Sequence, residues 1–436
     1  MKQVAVIGGG ISGLTTAYYL GQNGISVDLY EKERLGGSIE SVRLGDTVLD
    51  LGPNSLRDKT GSLNKLIIEL GLEDEVLDVS EAFKTRCIVR NGELQFLQPS
   101  PSSLIRTSLL SVSGKIRLLT EPFRSAPGKR DESVRSFLER RIGKEAVNYL
   151  ADPVFSGIYA GDISKLSKLE VLSELSRYEE EMGSLFKGLI QARKKDRSSP
   201  RVLNFRNGIQ SLTNTLADRS EADLFNEEVS AIILTGKGYK IEAGPVQEEY
   251  EKVISCIPAY VLAGLIEDRK LSEQLRSIDY PSVHSVQLIY RKEDLKDLPE
   301  GFGFLVPRKE GLTILGSIWK SSIFPEMTDE KYVQFNLLSG GAHQKLKAEQ
   351  VADTERKVIT EFENIMDIRA LPIERYSKFW DKAIPQFHVG YSKIRNEISR
   401  FEKQNPGFYI GGNFRWGVAV PECIEAAEKL SKQIIT

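Results

Sequence analysis

Residues near both ends of this chain have the types and spacing to hold a dinucleotide. The apolar run Val4-Ala5-Val6-Ile7 leads into Gly8, Gly10 and Gly13, a G-x-G-x-x-G turn with Gly9, Ile11 and Ser12 between its glycines. Gly8 permits the tight turn, Gly10 lets the backbone approach a pyrophosphate, and Gly13 lets the following helix pack closely on the strand. The unpaired N–H groups of a helix beginning near Ile11 attract the phosphates. Glu31 lies 18 residues past Gly13, at the end of the second strand Val27-Asp28-Leu29-Tyr30-Glu31. A carboxylate there accepts hydrogen bonds from ribose hydroxyls and repels a 2′-phosphate, so FAD or NAD is favoured over NADP. Near the other end, Ile410-Gly411-Gly412-Asn413 and Gly417-Val418-Ala419-Val420-Pro421 repeat the glycine-rich pattern. The pairing points to a flavoenzyme. A lone glycine motif also marks ordinary turns; the strand, helix and acidic residue at the required spacing are what select the cofactor reading. The same segment lacks the basic region, uninterrupted apolar stretch and small-residue cleavage site of an export signal.

Composition narrows the function classes. The chain has 436 residues, room for two or three domains of roughly 100 to 200 residues. A formal net charge of −2 argues against a nucleic-acid protein, which carries a basic face. Cys87, Cys256 and Cys423 are odd in number and far apart, so neither a disulfide framework nor a cysteine metal site is indicated, and a reducing compartment is expected. His284, His343 and His388 are scattered without ligand spacing. No apolar run of about 18 residues free of charges and glycines is present to span a membrane.

The elements that must position these residues alternate at first: strand, helix, strand, the loop Glu33-Arg34-Leu35-Gly36-Gly37-Ser38, a hairpin over 39–50 and a helix over 63–70, which favours a parallel sheet. Helices are expected over 114–119, 133–142, 145–150, 168–178 and 183–194, and the basic, polar stretch Arg193 to Pro200 reads as a linker. Asn207-Gly208-Ile209-Gln210-Ser211-Leu212 heads another helix, followed by strands at 229–234 and 252–256, the latter stopped at Ile257-Pro258-Ala259. Period-2 stretches at 282–290, 303–306, 312–319 and 332–338 predict an antiparallel sheet, and the spacing predicts a closing helix over 423–430. A nucleotide domain interrupted twice accounts for cofactor motifs spread along the chain. An α/β fold, α+β overall, is expected, with residues 1–77, 198–262 and 394–436 forming the FAD-binding domain, 78–103 and 263–393 the substrate domain, and 104–197 a helical lobe.

These segments together resemble the FAD-dependent protoporphyrinogen oxidases, a branch of the flavin amine oxidase superfamily, over nearly the whole chain. Arg34-Leu35-Gly36-Gly37 is similar to the family's second flavin motif, Leu51-Gly52-Pro53-Asn54-Ser55 to its flavin-facing turn, and Ser156-Gly157-Ile158-Tyr159-Ala160-Gly161-Asp162 to its G-x-x-A-G-[DN] signature. Gly301-Phe302-Gly303-Phe304-Leu305-Val306-Pro307 and Ile384-Pro385-Gln386 also fit family landmarks. Ser38 departs from the arginine common in the wider superfamily after the paired glycines. The resemblance implies a Rossmann-like FAD domain of the amine oxidase/glutathione reductase type. It implies non-covalent FAD on Gly8 to Gly13, Glu31, Lys32, Arg34, Gly36, Gly37, Ser38, Gly52 to Ser55, Val229, Gly412, Asn413 and Val418 to Val420. On the substrate side it implies Arg86 on a propionate, Gly157 and Ala160 lining the cavity, and Phe302 and Leu305 holding the macrocycle. From types alone, Arg86 is equally a surface arginine on a strand, and Phe302 and Leu305 are equally plain core.

The activity implied is oxidation of protoporphyrinogen to protoporphyrin by oxygen, six electrons in three flavin cycles with hydrogen peroxide released each time. No side chain stands out as a general base, so no catalytic residue is assigned beside the flavin. Coproporphyrinogen oxidation, an amine oxidase and a flavin-holding partner protein are the rivals. Amine oxidases usually carry a lysine on the strand that here reads Val283-His284-Ser285-Val286-Gln287. A homodimer, hand-off of product to a ferrochelatase, and a cytoplasmic protein touching the membrane face through Leu104-Ile105-Arg106, Leu109-Leu110-Ser111-Val112, Lys115, Arg117 and Arg124 are further expectations, the same apolar residues serving equally as a buried helix contact.

Overall fold

The computed structural model describes residues 2–98, 106–124, 128–195 and 200–435. Leu104 and Ile105 of the expected membrane contact, and Asp196 to Ser199 of the expected linker, lie outside the described residues. The chain divides into two compact units, one of Met1–Asp78, Pro200–Asp279 and Ser392–Thr436, the other of Val79–Ser199 and Tyr280–Tyr391.

The first unit is built on a seven-stranded sheet. Lys2–Ile7 lies between Val27–Tyr30 and Val246–Ser255, parallel to both, and Asp223–Phe225 and Phe408–Ile410 extend the parallel part. Strands from three distant stretches therefore lie side by side. Val246–Ser255 is longer than the strand expected at 252–256. Its first half closes an antiparallel hairpin with Tyr239–Ala243, and from Tyr250 onward it pairs with Lys2–Ile7. Ile11–Gly21, Gln210–Arg219 and Val420–Ile435 bury apolar stripes against this sheet through Leu14, Leu20, Leu212, Leu216, Ile424, Leu430 and Ile434. Such stripes, spaced by three or four residues, are what drive helices onto a sheet.

The expected boundary at 262/263 shifts to Asp279/Tyr280. The amphipathic helix Arg269–Arg276 follows Ala259–Leu265 in the first unit, capped by the Asp268 side chain, which also bonds Arg400 on the helix Ser392–Gln404 at 2.7 Å.

The second unit holds another seven-stranded sheet, in the order Glu374–Trp380, Val283–Arg291, Tyr332–Gly340, Ile314–Trp319, Gly303–Leu305, Arg86–Arg90, Glu93–Leu97. Every pairing is antiparallel except Gly303–Leu305 with Arg86–Arg90. One face packs on the helix Val351–Met366 through Val358 and Phe362. The helical stretch belongs to this same unit rather than standing apart. The helix expected over 168–178 breaks at Leu172, where φ is −132° and ψ 36°, into Lys168–Val171 and Ser173–Met182. The helix expected over 145–150 becomes a short α turn, Lys144–Ala146, running into a π-helical turn, Val147–Ala151, and then the helix Asp152–Tyr159. Leu109 and Leu110 are buried, so the surface role expected of them is corrected: Leu110 packs with Leu118 and Ala146 in the lobe's interior.

Candidate functional site

The glycine turn of the first unit has the shape expected of a phosphate cradle. Gly8 sits at φ +104°, in the left-handed region that favours glycine. A Cβ on Gly13 would stand 1.8 Å from the Gly8 carbonyl oxygen, so helix Ile11–Gly21 meets the turn at a distance that only glycine allows. Gly10 is the opposite case: a Cβ there would meet no protein atom within 4 Å. This open space lies at the N-terminus of an 11-residue helix that no side chain caps. Unpaired backbone N–H groups aimed at an open space are what a pyrophosphate requires, so the residues present fit the dinucleotide.

The loop after Glu31 folds back on this turn. Gly36 N–H donates to the Gly9 carbonyl at 2.8 Å, and Gly36 pairs with Gly10 in an isolated parallel bridge. Glu31 accepts from Gly9 N–H at 2.8 Å through one oxygen and from Glu33 N–H at 3.0 Å through the other, which holds the carboxylate beside the cradle. Arg34 is spent on its own loop: its guanidinium donates to the carbonyls of Gly37 at 2.7 Å and Ile39 at 3.0 Å and to Glu40 at 3.2 Å. These bonds shape the glycine loop. Lys32 is half exposed and stands 3.5 Å from Glu228.

The turn Gly52-Pro53-Asn54-Ser55 is fixed by neighbours. A Cβ on Gly52 would stand 2.0 Å from the Ser38 carbonyl oxygen, so this glycine serves close packing of two backbones. Asn54 donates to the Gly52 carbonyl at 3.0 Å, and the buried Asn204 donates to the Asn54 carbonyl at 3.0 Å and to Asp50 at 2.8 Å. Val229 is buried at the start of its strand, just before a bulge in the pairing with Tyr239–Ala243. Gly412 has φ +92° and precedes the short helix Asn413–Trp416. The C-terminal helix starts at Val420, earlier than expected, and the Ala419 N–H donates to Glu422 at 3.2 Å. That bond ties the loop ahead of the helix to a carboxylate in its first turn.

The second unit carries the expected substrate residues. Arg86 opens its strand, exposed, with its guanidinium 4.6 Å from the ring centre of Phe83 and 4.9 Å from that of Phe302. Phe83 meets Phe302 edge to face at 5.3 Å. Phe302 thus serves as a stacking platform for Arg86, and Phe83 is a member that the sequence does not single out. The Leu305 side chain lies within 2.8 Å of a Cβ placed on Gly157, so it packs onto the helix backbone at the place where residue 157 lacks a side chain. Val154 and Ile158 are exposed on the same helix as Gly157, one turn apart, giving an apolar stripe. Ala160 ends this helix at φ +48° and its carbonyl accepts from Ala342 N–H at 2.7 Å. Gln386, fully buried, donates to the Tyr159 carbonyl at 2.8 Å and fixes the helix end. Burial pushes the thiols of Cys87 and Cys423 up to about 12, so neither is a nucleophile near neutral pH.

Residues 11–435 match the family of flavin containing amine oxidoreductases. Protoporphyrinogen oxidase 2, chloroplastic/mitochondrial, of Arabidopsis thaliana is 28% identical over 486 aligned residues, covering 100% of this chain and 94% of the relative. Coproporphyrinogen III oxidase of Bacillus subtilis (strain 168) is 26% identical, covering 100% and 98%. A solved structure from Exiguobacterium sp. 255-15 superposes with a TM-score of 0.86 at 23% identity, covering 100% and 98%. Putrescine oxidase bound to putrescine superposes at 0.71 with 14% identity, covering 100% and 99%.

Proposed function

We propose porphyrinogen oxidation as the function of this chain, which belongs to the family of flavin containing amine oxidoreductases and uses FAD as its cofactor. The reading is six-electron oxidation of protoporphyrinogen IX to protoporphyrin IX, with coproporphyrinogen III as the second substrate to test. The observation that carries it is the wall of the second unit: a guanidinium stacked on two phenylalanines, beside an apolar stripe of Val154, Gly157, Ile158 and Leu305. A tetrapyrrole with anionic edges asks for that combination, because its faces need apolar contact and its carboxylates a fork of N–H donors. Bound FAD supplies two-electron acceptance from the substrate and the reaction with oxygen. The chain's residues hold the dinucleotide on Gly8 to Gly13 and Glu31, orient the macrocycle on Leu305 and Gly157, and fix one carboxylate at Arg86.

The absence of lysine on Val283–Arg291 weighs against an amine oxidase. At that place Ser285 donates to Asn336 at 2.8 Å, both buried. Anaerobic mixing of the FAD-loaded chain with each porphyrinogen, followed by chromatography of the product, tests the reading. Bleaching of the flavin and formation of the porphyrin support it. A flavin that stays oxidised with both substrates overturns it.

A peripheral membrane contact accompanies the proposal in altered form. Among the described residues no helix is long and apolar enough to cross a membrane. Val112, Ile116 and Leu119 project from the helix Val112–Leu119, with Phe123 after it 88% exposed, beside Lys115 and Arg124. An apolar face with flanking cations suits a lipid surface. Arg117 is not part of it, since its guanidinium donates to the carbonyls of Arg140 at 2.6 Å and Arg141 at 2.8 Å.

A further inference from the structure

The wall that holds Leu305 has a cation at each end. Cys87 pairs with Phe304 in parallel register, which sets Arg86 beside Gly303. The chain then runs extended through Leu305, Val306 and Pro307, where φ is −61° and ψ 139°, and delivers Arg308 to a tight turn. Five extended residues at ~3.3 Å each separate the backbones at the two arginines by roughly 16 Å.

Arg308 stands near two carboxylates, Asp152 and Asp162, yet among the described residues it is hydrogen-bonded to neither. Its Nη1 lies 2.8 and 2.9 Å from the two ring nitrogens of His343. Burial holds His343 below its ordinary range against the pull of Asp162, and the charge of Arg308 adds to that effect, so near neutral pH the ring is an uncharged prop. Among the described residues the carboxylate nearest to Arg308 is Asp152, an ion pair at 3.9 Å, too long for a hydrogen bond. Asp152 is nearer to Arg135, at 3.3 Å. Asp162, the remaining acid of the group, accepts from the N–H and hydroxyl of Ser164 through one oxygen at 2.9 and 2.6 Å, and feels the charge of Arg308 without a hydrogen bond to it. Among the described residues, then, a guanidinium 46% exposed and steadied by a neutral ring forms no hydrogen bond to a carboxylate. It stands beside the first turn of the helix that carries Val154, Gly157 and Ile158.

We propose that Arg308 is a second carboxylate anchor, which takes a propionate on the edge of the macrocycle opposite the one that Arg86 holds. The proposal rests on the porphyrinogen reading and sharpens its substrate class. The two propionates of protoporphyrinogen IX sit on adjacent pyrroles, along one edge, and cannot reach both anchors. Coproporphyrinogen III carries a propionate on every pyrrole, so it spans the wall and engages both. The pair of arginines therefore favours the tetracarboxylate over what Arg86 alone would select.

The test uses the FAD-loaded full chain with Arg308→Gln and Arg308→Lys. The ratio of kcat/KM for coproporphyrinogen III to that for protoporphyrinogen IX is measured, together with binding of coproporphyrin III and protoporphyrin IX followed by their Soret bands. Loss of a charge-assisted contact should lower the ratio by about 10-fold or more in Arg308→Gln and weaken coproporphyrin binding in parallel. Arg308→Lys, which keeps the charge and most of the volume, should fall between, because a point charge does not replace a planar fork. If Arg308→Gln does not fold, the lysine variant alone still carries the test. Equal losses on both substrates would assign Arg308 to structure and overturn the anchor, and so would a wild type that oxidises protoporphyrinogen but rejects coproporphyrinogen. A wild type that oxidises neither removes the porphyrinogen reading itself, a result read before any variant is made.

Discussion

At the scale of single residues, the glycines of the N-terminal turn separate holding a cofactor from holding the fold. A Cβ at Gly10 meets no protein atom within 4 Å, whereas one at Gly13 collides with the Gly8 carbonyl. Gly10→Val should therefore fold with a melting temperature close to that of the wild-type apoprotein and lose FAD on gel filtration. Gly13→Val should lose the native fold as well, which circular dichroism would report. A Gly10→Val protein that retains full flavin would move the phosphate site elsewhere. Arg86 is tested by crossing a mutation with a substrate. Arg86→Ala should lower kcat/KM for a porphyrinogen by roughly 10- to 150-fold, the loss of a charge-assisted contact of about 1.5 to 3 kcal/mol, while flavin content is retained. The corresponding methyl ester, lacking the carboxylates, should distinguish little between wild type and variant, and equal losses on acid and ester would make Arg86 a structural residue. The glycine turn is readable in the sequence because each of its demands is local: a φ, a close approach, an acid at fixed spacing. Phe83, His343 and Arg308 are not, since what makes each matter is a partner between 3 and 219 positions away whose contact only the folded sheet creates.

At the scale of elements, the lobe is pinned by one buried ion pair that doubles as a helix cap. Glu121 and Arg141 are both almost fully buried and bond each other through Arg141 Nε at 2.8 Å and through Nη2. Glu121 also accepts from Ser184 Oγ at 2.6 Å and from the N–H groups of Leu185 at 2.9 Å and Phe186 at 3.3 Å, satisfying the first turn of the helix Leu185–Lys195. Arg141→Ala strands a buried carboxylate and should cost about 3 to 5 kcal/mol in denaturant unfolding. Burial pulls the Glu121 carboxyl upward, but Ser184, the Leu185 amide and Arg141 outweigh it and hold it below its usual value. A depressed folded pKa gives stability that is complete above the ordinary glutamate value of about 4.3 and is lost as pH falls through the lower folded value. The stability gap between wild type and Glu121→Gln should accordingly narrow as pH drops below about 4, and a gap that stays constant would deny the pair its role. Regular helices such as Ile11–Gly21 and Val134–Ile142 follow from spacing in the sequence. The break at Leu172 and the π-helical turn at Val147–Ala151 do not, because the flanking apolar spacing continues while tertiary packing sets the register. Val351–Met366 is not among the expected helices although Val358, Ile359, Phe362 and Met366 carry its spacing; its cue was present and is masked by the charged residues around it.

At the scale of the whole chain, the architecture is an interleaving that local patterns announce only in part. Glycine motifs at both ends imply that the ends meet, and the strands Lys2–Ile7, Val246–Ser255 and Phe408–Ile410 do lie in one sheet of the first unit. The crossing points are harder to read: residues 263–279 contain nothing that says which unit they join, and the answer comes from Asp268 reaching Arg400 from a helix more than a hundred residues later. Interleaving has a measurable consequence, because FAD that binds only the closed sheet stabilises every segment that must come apart for the sheet to open. At a free FAD concentration 100 times the dissociation constant, the added stability is about 2.7 kcal/mol, equivalent to roughly 100-fold slower exchange of amides released by opening of the sheet. Hydrogen exchange measured by mass spectrometry on the FAD-free and FAD-loaded chain should show that slowing together in peptides from Lys2–Ile7, Val246–Ser255 and Phe408–Ile410. Protection confined to the glycine turn at Gly8 to Gly13, with the middle and C-terminal strands exchanging as before, would mean that the three stretches do not open as one unit and that the cofactor is held by the N-terminal segment alone.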